Sequence, residues 1–149
     1  NRPRISVYLK QSDEWVNFVY LVISNHGNSI VKNIKFYLKD DFKLTLSNRN
    51  LSDVRQFKEG IKNLTPGREL VIPVFNLVNN FEEFKKANIK ISIKYFDTFE
   101  QQFNDEFVLD ITSLVDHQLG EPPIYKIEKN IEKISKSIQK IENKLKKYE

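Results

Sequence analysis

The chain has no cysteine and no methionine. Without thiols, disulfides, zinc–thiolate sites, iron–sulfur ligation and a cysteine nucleophile are all excluded. Without a methionine, a chain that begins at Asn1 is expected to be a piece of a longer one. Glycine is almost as scarce. Gly27, Gly60, Gly67 and Gly120 are the only four, too widely separated to build a phosphate-cradling loop. Long apolar runs are missing too. The longest, from Val16 to Ile23, is interrupted by Asn17 and is of strand length, below the roughly eighteen residues that mark a membrane span.

Enough apolar material remains to fold. Hydrophobic residues make up 40% and aromatics 12% of 149 residues, which supports one packed domain with an appendage and argues against disorder. The net charge is +4, and it is uneven along the chain: the part up to Gly120 carries +1 and the part from Glu121 onward +3. The basic pI of about 9.1 therefore reads as a property of the tail, and no nucleic-acid partner is expected.

The first part reads as short strands. Ile5, Val7 and Leu9 alternate with polar residues, and Trp15 to Ile23 is apolar on both faces, as a central strand requires. Residues 25–29 form a turn in which Gly27 and the asparagines tolerate positive φ. Ile30 to Lys39 points Ile34, Phe36 and Leu38 inward and Lys35, Tyr37 and Lys39 outward. Phe42, Leu44 and Leu46 suggest another short strand, and Ser47 to Gly60 a loop with one helical turn. Pro66 and Gly67 fit a type II turn, followed by a strand from Arg68 to Phe75 and a short helix from Asn79 to Lys86. In the clearest strand, Ile89, Ile91, Ile93 and Tyr95 alternate with Lys90, Ser92 and Lys94. Gln101 to Ile111 returns with Phe103, Phe107, Leu109 and Ile111 on one side. About seven short strands with little helix between them predict a mainly β chain, an antiparallel β-sandwich with Leu21, Ile23, Ile34, Phe36, Ile91, Ile93, Phe107 and Leu109 in its core.

The tail carries a different period. Ile124, Ile127, Ile131, Ile134, Ile138, Ile141, Leu145 and Tyr148 are spaced three and four apart without a break, so they fill the a and d positions of a heptad repeat. No other residue from Lys126 to Lys147 is apolar. The stripe is thus as narrow as a coiled-coil seam, not as wide as the face of a helix lying on a globular core. A 26-residue helix would be about 39 Å long, and leaving eight large side chains wet would forfeit on the order of 10 kcal/mol per chain. Self-association is the first choice to cover the seam, a helix of another protein the second, and the chain's own sandwich the third. Isoleucine at both a and d favours a parallel trimer over a tetramer, and a tetramer over a dimer. The e and g positions, Glu128, Asn130, Ser135, Ser137, Glu142 and Lys144, give little partner selectivity.

The motifs of catalysis are absent. His26 and His117 are the only histidines, and neither has a serine-plus-acid arrangement beside it. The acid pairs Asp13–Glu14, Asp40–Asp41, Glu82–Glu83 and Asp105–Glu106 are adjacent in sequence and sit near turns, unlike the facing carboxylates of a glycosidase. Phe96, Phe99, Phe103 and Phe107 have acidic neighbours, which disfavour a base-stacking platform. The expectation is a non-enzymatic chain with no catalytic, cofactor-binding or metal residues and no cofactor.

Several stretches resemble a loosely defined group of bacterial immunoglobulin-like domains: Arg2 to Val7, Tyr20 to Gly27 with its N-x-G turn, Val31 to Phe36, Leu64 to Gly67, Ile93 to Asp97 with its Y-x-D strand end, and Val108 to Ile111. The resemblance covers about residues 2–111 and implies an immunoglobulin-like sandwich; together with the heptad stripe it divides the chain into a sandwich over 1–115, a linker over 116–123 and a coiled-coil helix over 124–149. It also implies a membrane-anchored parent whose transmembrane segment precedes Arg2. Arg2 and Arg4 resemble a positive flank of the kind kept on the cytoplasmic side, so a cytoplasmic soluble part is expected ahead of an extracytoplasmic one. The functional expectation is a protein-interaction and oligomerisation region. The alternative is a phage or surface-fibre component, in which a trimeric stalk carries a β-rich head.

Overall fold

The computed structural model describes residues 2–13, 18–78, 80–109, 114 and 123–148. Its strands are β1 (Ile5–Gln11), β2 (Phe18–Asn25), β3 (Val31–Leu38), β4 (Ile61–Leu64), β5 (Glu69–Asn76), β6 (Ile89–Phe96) and β7 (Gln102–Leu109). Two antiparallel sheets result, a three-stranded one in the order β1-β2-β5 and a four-stranded one in the order β4-β3-β6-β7. Helices α1 (Arg55–Glu59) and α2 (Phe81–Lys86) lie in the connections, and α3 (Pro123–Leu145) is the C-terminal helix.

Period-two patterning makes these strands half-buried. In β6, Ile89, Ile91, Ile93 and Tyr95 are fully buried while the residues between them reach solvent. β2 sits between β1 and β5 and is buried almost throughout, which its apolar run requires. The inward faces meet in one core that includes Val19, Leu21, Ile23, Ile34, Ile72, Val74, Ile91 and Ile93. Aromatic packing fixes the two short helices. Phe57 of α1 lies 4.7 Å from Phe36, and Phe84 of α2 meets Phe75 edge-on at 4.9 Å, with Phe75 stacked on Phe42 at 5.4 Å.

Seven of the eight expected core residues are buried, and Phe107 is only partly so. Other expectations need correction. Phe42 to Leu46 forms no strand. It makes one isolated bridge, between Lys43 and Asn50, because Phe42 and Leu44 pack as a loop against the core while Leu46 stays exposed. A strand does form at Ile61–Leu64, following the expected loop and running into the expected turn. It pairs with β3 in an unbroken register, Val31 opposite Leu64 and Ile34 opposite Ile61. On the other side of β3 the register against β6 shifts between Lys32 and Lys35, around Asn33, whose φ is 50°, so Val31 and Ile34 are both buried although three apart. Gly27 does not use positive φ. A side chain there would come within 2.8 Å of the Arg4 backbone nitrogen, so space is what excludes it. Gly67 does take positive φ, 74°, and the Arg68 N–H donates to the Thr65 carbonyl across the expected turn. Residues 15–17, Asp110 and Ile111, all included in expected strands, lie outside the described residues.

The chain is therefore mainly β, a sandwich-like pair of antiparallel sheets followed by one long helix.

Candidate interaction surfaces

Helix α3 starts at a proline, whose fixed φ suits the first helical position. Its 23 residues span about 35 Å, and a short 3-10 turn at Lys146–Tyr148 continues it. Every described seam side chain is exposed on the single chain: Ile127 54%, Ile131 57%, Ile134 59%, Ile138 51%, Ile141 57%, Leu145 62% and Tyr148 90%. The Ile124 side chain lies outside the described residues. The neighbours of the seam are polar and exposed as well. Ser137 spends its hydroxyl on the Lys133 carbonyl one turn back, at 2.9 Å. The helix thus displays one continuous aliphatic line flanked by polar side chains that reach water.

The second surface is the outer face of the four-stranded sheet. Pairing between β3 and β6 sets Lys35 opposite Lys94 and Tyr37 opposite Ser92. The next step is closed by the Lys39 N–H, which donates to the Lys90 carbonyl. Two lysine pairs of like charge therefore flank an exposed tyrosine. An open groove of about 400 Å³ on this face is lined by Lys35, Lys62, Lys94, Tyr37 and Phe96 among others. Sequence reasoning missed this surface, although its signal was present. Both strands alternate lysine outward, and only the pairing that joins them was unreadable.

The candidate chemical groups lie apart. His26 is exposed in the β2–β3 turn, and His117 lies outside the described residues. Asp40, Asp41, Glu82 and Glu83 are exposed, and Glu14 lies outside the described residues. Asp41 accepts a hydrogen bond from the Ser52 backbone at 3.2 Å and another from its hydroxyl, which ties a loop together. Among the described residues no three His, Asp or Glu side chains are grouped to hold a metal ion.

Asp105 is held by two side chains, one on each carboxylate oxygen. It accepts from Arg2 Nη2 at 2.6 Å and from the Tyr95 hydroxyl at 2.6 Å, while Arg2 lies over the Phe103 ring and Tyr95 stacks on that ring from 5.5 Å. Burial, and then the hydrogen bond to Asp105, push the Tyr95 phenol up to about 12. A phenol held protonated in this way serves as a fixed donor, and the cluster fastens the N-terminal segment to β7.

Comparison with curated proteins and with solved structures finds no match. Residues 1–115, which take in all seven strands, match the family described as Domain of unknown function (DUF8453), and the chain belongs to that family.

Proposed function

We propose that this chain is a non-enzymatic protein-interaction and oligomerisation region in which a sandwich head is gathered into a homo-oligomer by α3. The observation that carries the proposal is the exposed aliphatic seam, seven described positions long with no polar interruption. Exposed apolar surface of this extent is costly in water and marks an interaction site. A 3.5-residue period with β-branched residues at both a and d supports a parallel coiled coil of three chains.

The strand orders support an immunoglobulin-like assignment for the head. Strands 1, 2 and 5 form one sheet and 3, 6 and 7 belong to the other, as in that fold, with β4 joining the second sheet rather than the first. Membrane attachment belongs to the same proposal through the resemblance to anchored bacterial domains. Among the described residues no helix is long and apolar enough to cross a membrane, so the anchor is a segment outside them. Protease accessibility of the protein in cells tests its side of the membrane, and digestion from outside would reject the cytoplasmic placement.

The test of oligomerisation is the double substitution Ile134→Asn with Ile138→Asn. Two amides placed mid-seam cost about 1–3 kcal/mol each per chain when buried without partners. The expected result is a monomer whose near-ultraviolet circular dichroism still reports a packed head. An unchanged oligomer would refute the seam.

A further inference from the structure

The outer face of the β4-β3-β6-β7 sheet breaks a rule of sheet stability. Directly opposed like charges destabilise a strand pair, yet Lys35 faces Lys94, and Lys39 is joined to Lys90 by a backbone hydrogen bond. Lys35 and Lys39 are exposed, and Lys90 and Lys94 half-buried. Among the described residues none of the four has a carboxylate within salt-bridge distance. Lys94 leans instead over the Phe96 ring, 5.9 Å from its centroid. Lys62 lines the same groove from β4, and Glu59, which pairs with Arg55 at 2.9 Å, lines it from α1. On the β7 side the face carries one carboxylate, Glu106, opposite Ser92. Uncompensated local conflicts of this kind are expected where a surface meets a ligand.

The spacing selects the ligand. Lys35 and Lys39 lie four residues apart on one strand, roughly 13 Å, and each is paired across about 5 Å with a lysine of β6. Exposed Tyr37 stands midway. An extended polypeptide has the same repeat, because its side chains two apart share a face. The geometry points to a docking surface for an extended acidic segment of a protein partner. One acidic side chain enters between Lys35 and Lys94, the acidic side chain four residues on enters between Lys39 and Lys90, and an apolar or aromatic residue between them covers Tyr37. This deepens the protein-interaction reading above. It does not depend on the seam, whose state is read separately by light scattering, so either can fail alone.

The test uses the full chain and a labelled nine-residue peptide with glutamate at its third and seventh positions and phenylalanine at the fifth, followed by fluorescence anisotropy. The comparison ligands are a peptide of the same composition with the two glutamates adjacent, a twelve-nucleotide single strand of thymidines, and vesicles rich in phosphatidylserine. The expected result is saturable binding of the first peptide, weakened about tenfold by Lys35→Glu and unchanged by Lys140→Glu on the tail. Because Lys35→Glu replaces a like-charge pair by an opposite-charge one, its melting temperature is expected to rise while binding falls, so misfolding cannot account for the loss. Equal binding of the rearranged peptide would overturn the register argument. Binding of the oligonucleotide or the vesicles as tightly as the peptide, with the same dependence on Lys35, would overturn the choice of partner. No binding of any ligand at millimolar concentration would overturn the proposal.

Discussion

The side-chain amide of Asn25 donates to the Leu64 carbonyl at 2.9 Å, joining the end of β2 in one sheet to the end of β4 in the other. The same amide donates to the Ser29 carbonyl, and its oxygen accepts from the Gly27 N–H. Asn25 is fully buried. Removing it takes the partner from the buried Leu64 carbonyl and from two part-buried backbone groups of the β2–β3 turn, those of Gly27 and Ser29, and an unsatisfied buried group costs about 1–3 kcal/mol. Asn25→Ala is therefore expected to destabilise the head by about 2–4 kcal/mol in urea unfolding. A loss under half a kcal/mol would show that the two sheets are joined elsewhere.

Ile93 tests the core. It is buried at the centre of β6 and paired on both sides, with Phe36 of β3 and Asp105 of β7. Ile93→Ala removes several methyl and methylene groups from a packed interior and is expected to cost about 2–5 kcal/mol. A negligible change would place β6 on the wrong face.

The Tyr95 phenol gives the head a dependence on alkaline pH. Its folded value, about 12, lies above the ordinary 10, so the folded state holds this proton more tightly than the unfolded state does. The stabilisation is complete below pH 10 and is lost as the pH rises from there through 12. The informative quantity is the difference between the wild type and Tyr95→Phe. The variant is expected to be less stable at neutral pH, where it lacks the bond to Asp105, and to lose less stability between pH 10 and 12. Equal slopes in the two proteins would contradict the buried, hydrogen-bonded phenol.

Much of this fold was legible because its strands obey period two. The patterns of β1, β6 and the second half of β3 each name their buried residues directly, and the type II turn at Gly67 is written in Pro66-Gly67. The bulge at Asn33 was not legible. It depends on how β3 pairs with β6, and β4 stayed hidden because its four residues carry no alternation, with Leu64 buried and Ile61 partly so. The loop at Phe42 to Leu46 misled for the opposite reason: Phe42 stacks on Phe75 and Leu44 packs into the core, but a single backbone bond, from the Thr45 N–H to the Val74 carbonyl, reaches β5 and no ladder forms. The same limit applies to the surfaces. The seam lies along one helix and can be read from one stretch of sequence. The lysine face is assembled from β3, β4 and β6, so counting charge along the chain gave the head a net of only +1 and concealed its segregation.

Light scattering on the intact chain at about 50 µM, coupled to size exclusion, measures the central claim most directly. With Ile127, Ile131, Ile134, Ile138 and Ile141 lining one face of α3, the expected mass is near three times the 17.7 kDa of one chain. It should fall to one times that mass on Ile134→Asn with Ile138→Asn. A single-chain mass for the unsubstituted protein at that concentration would contradict the homo-oligomer.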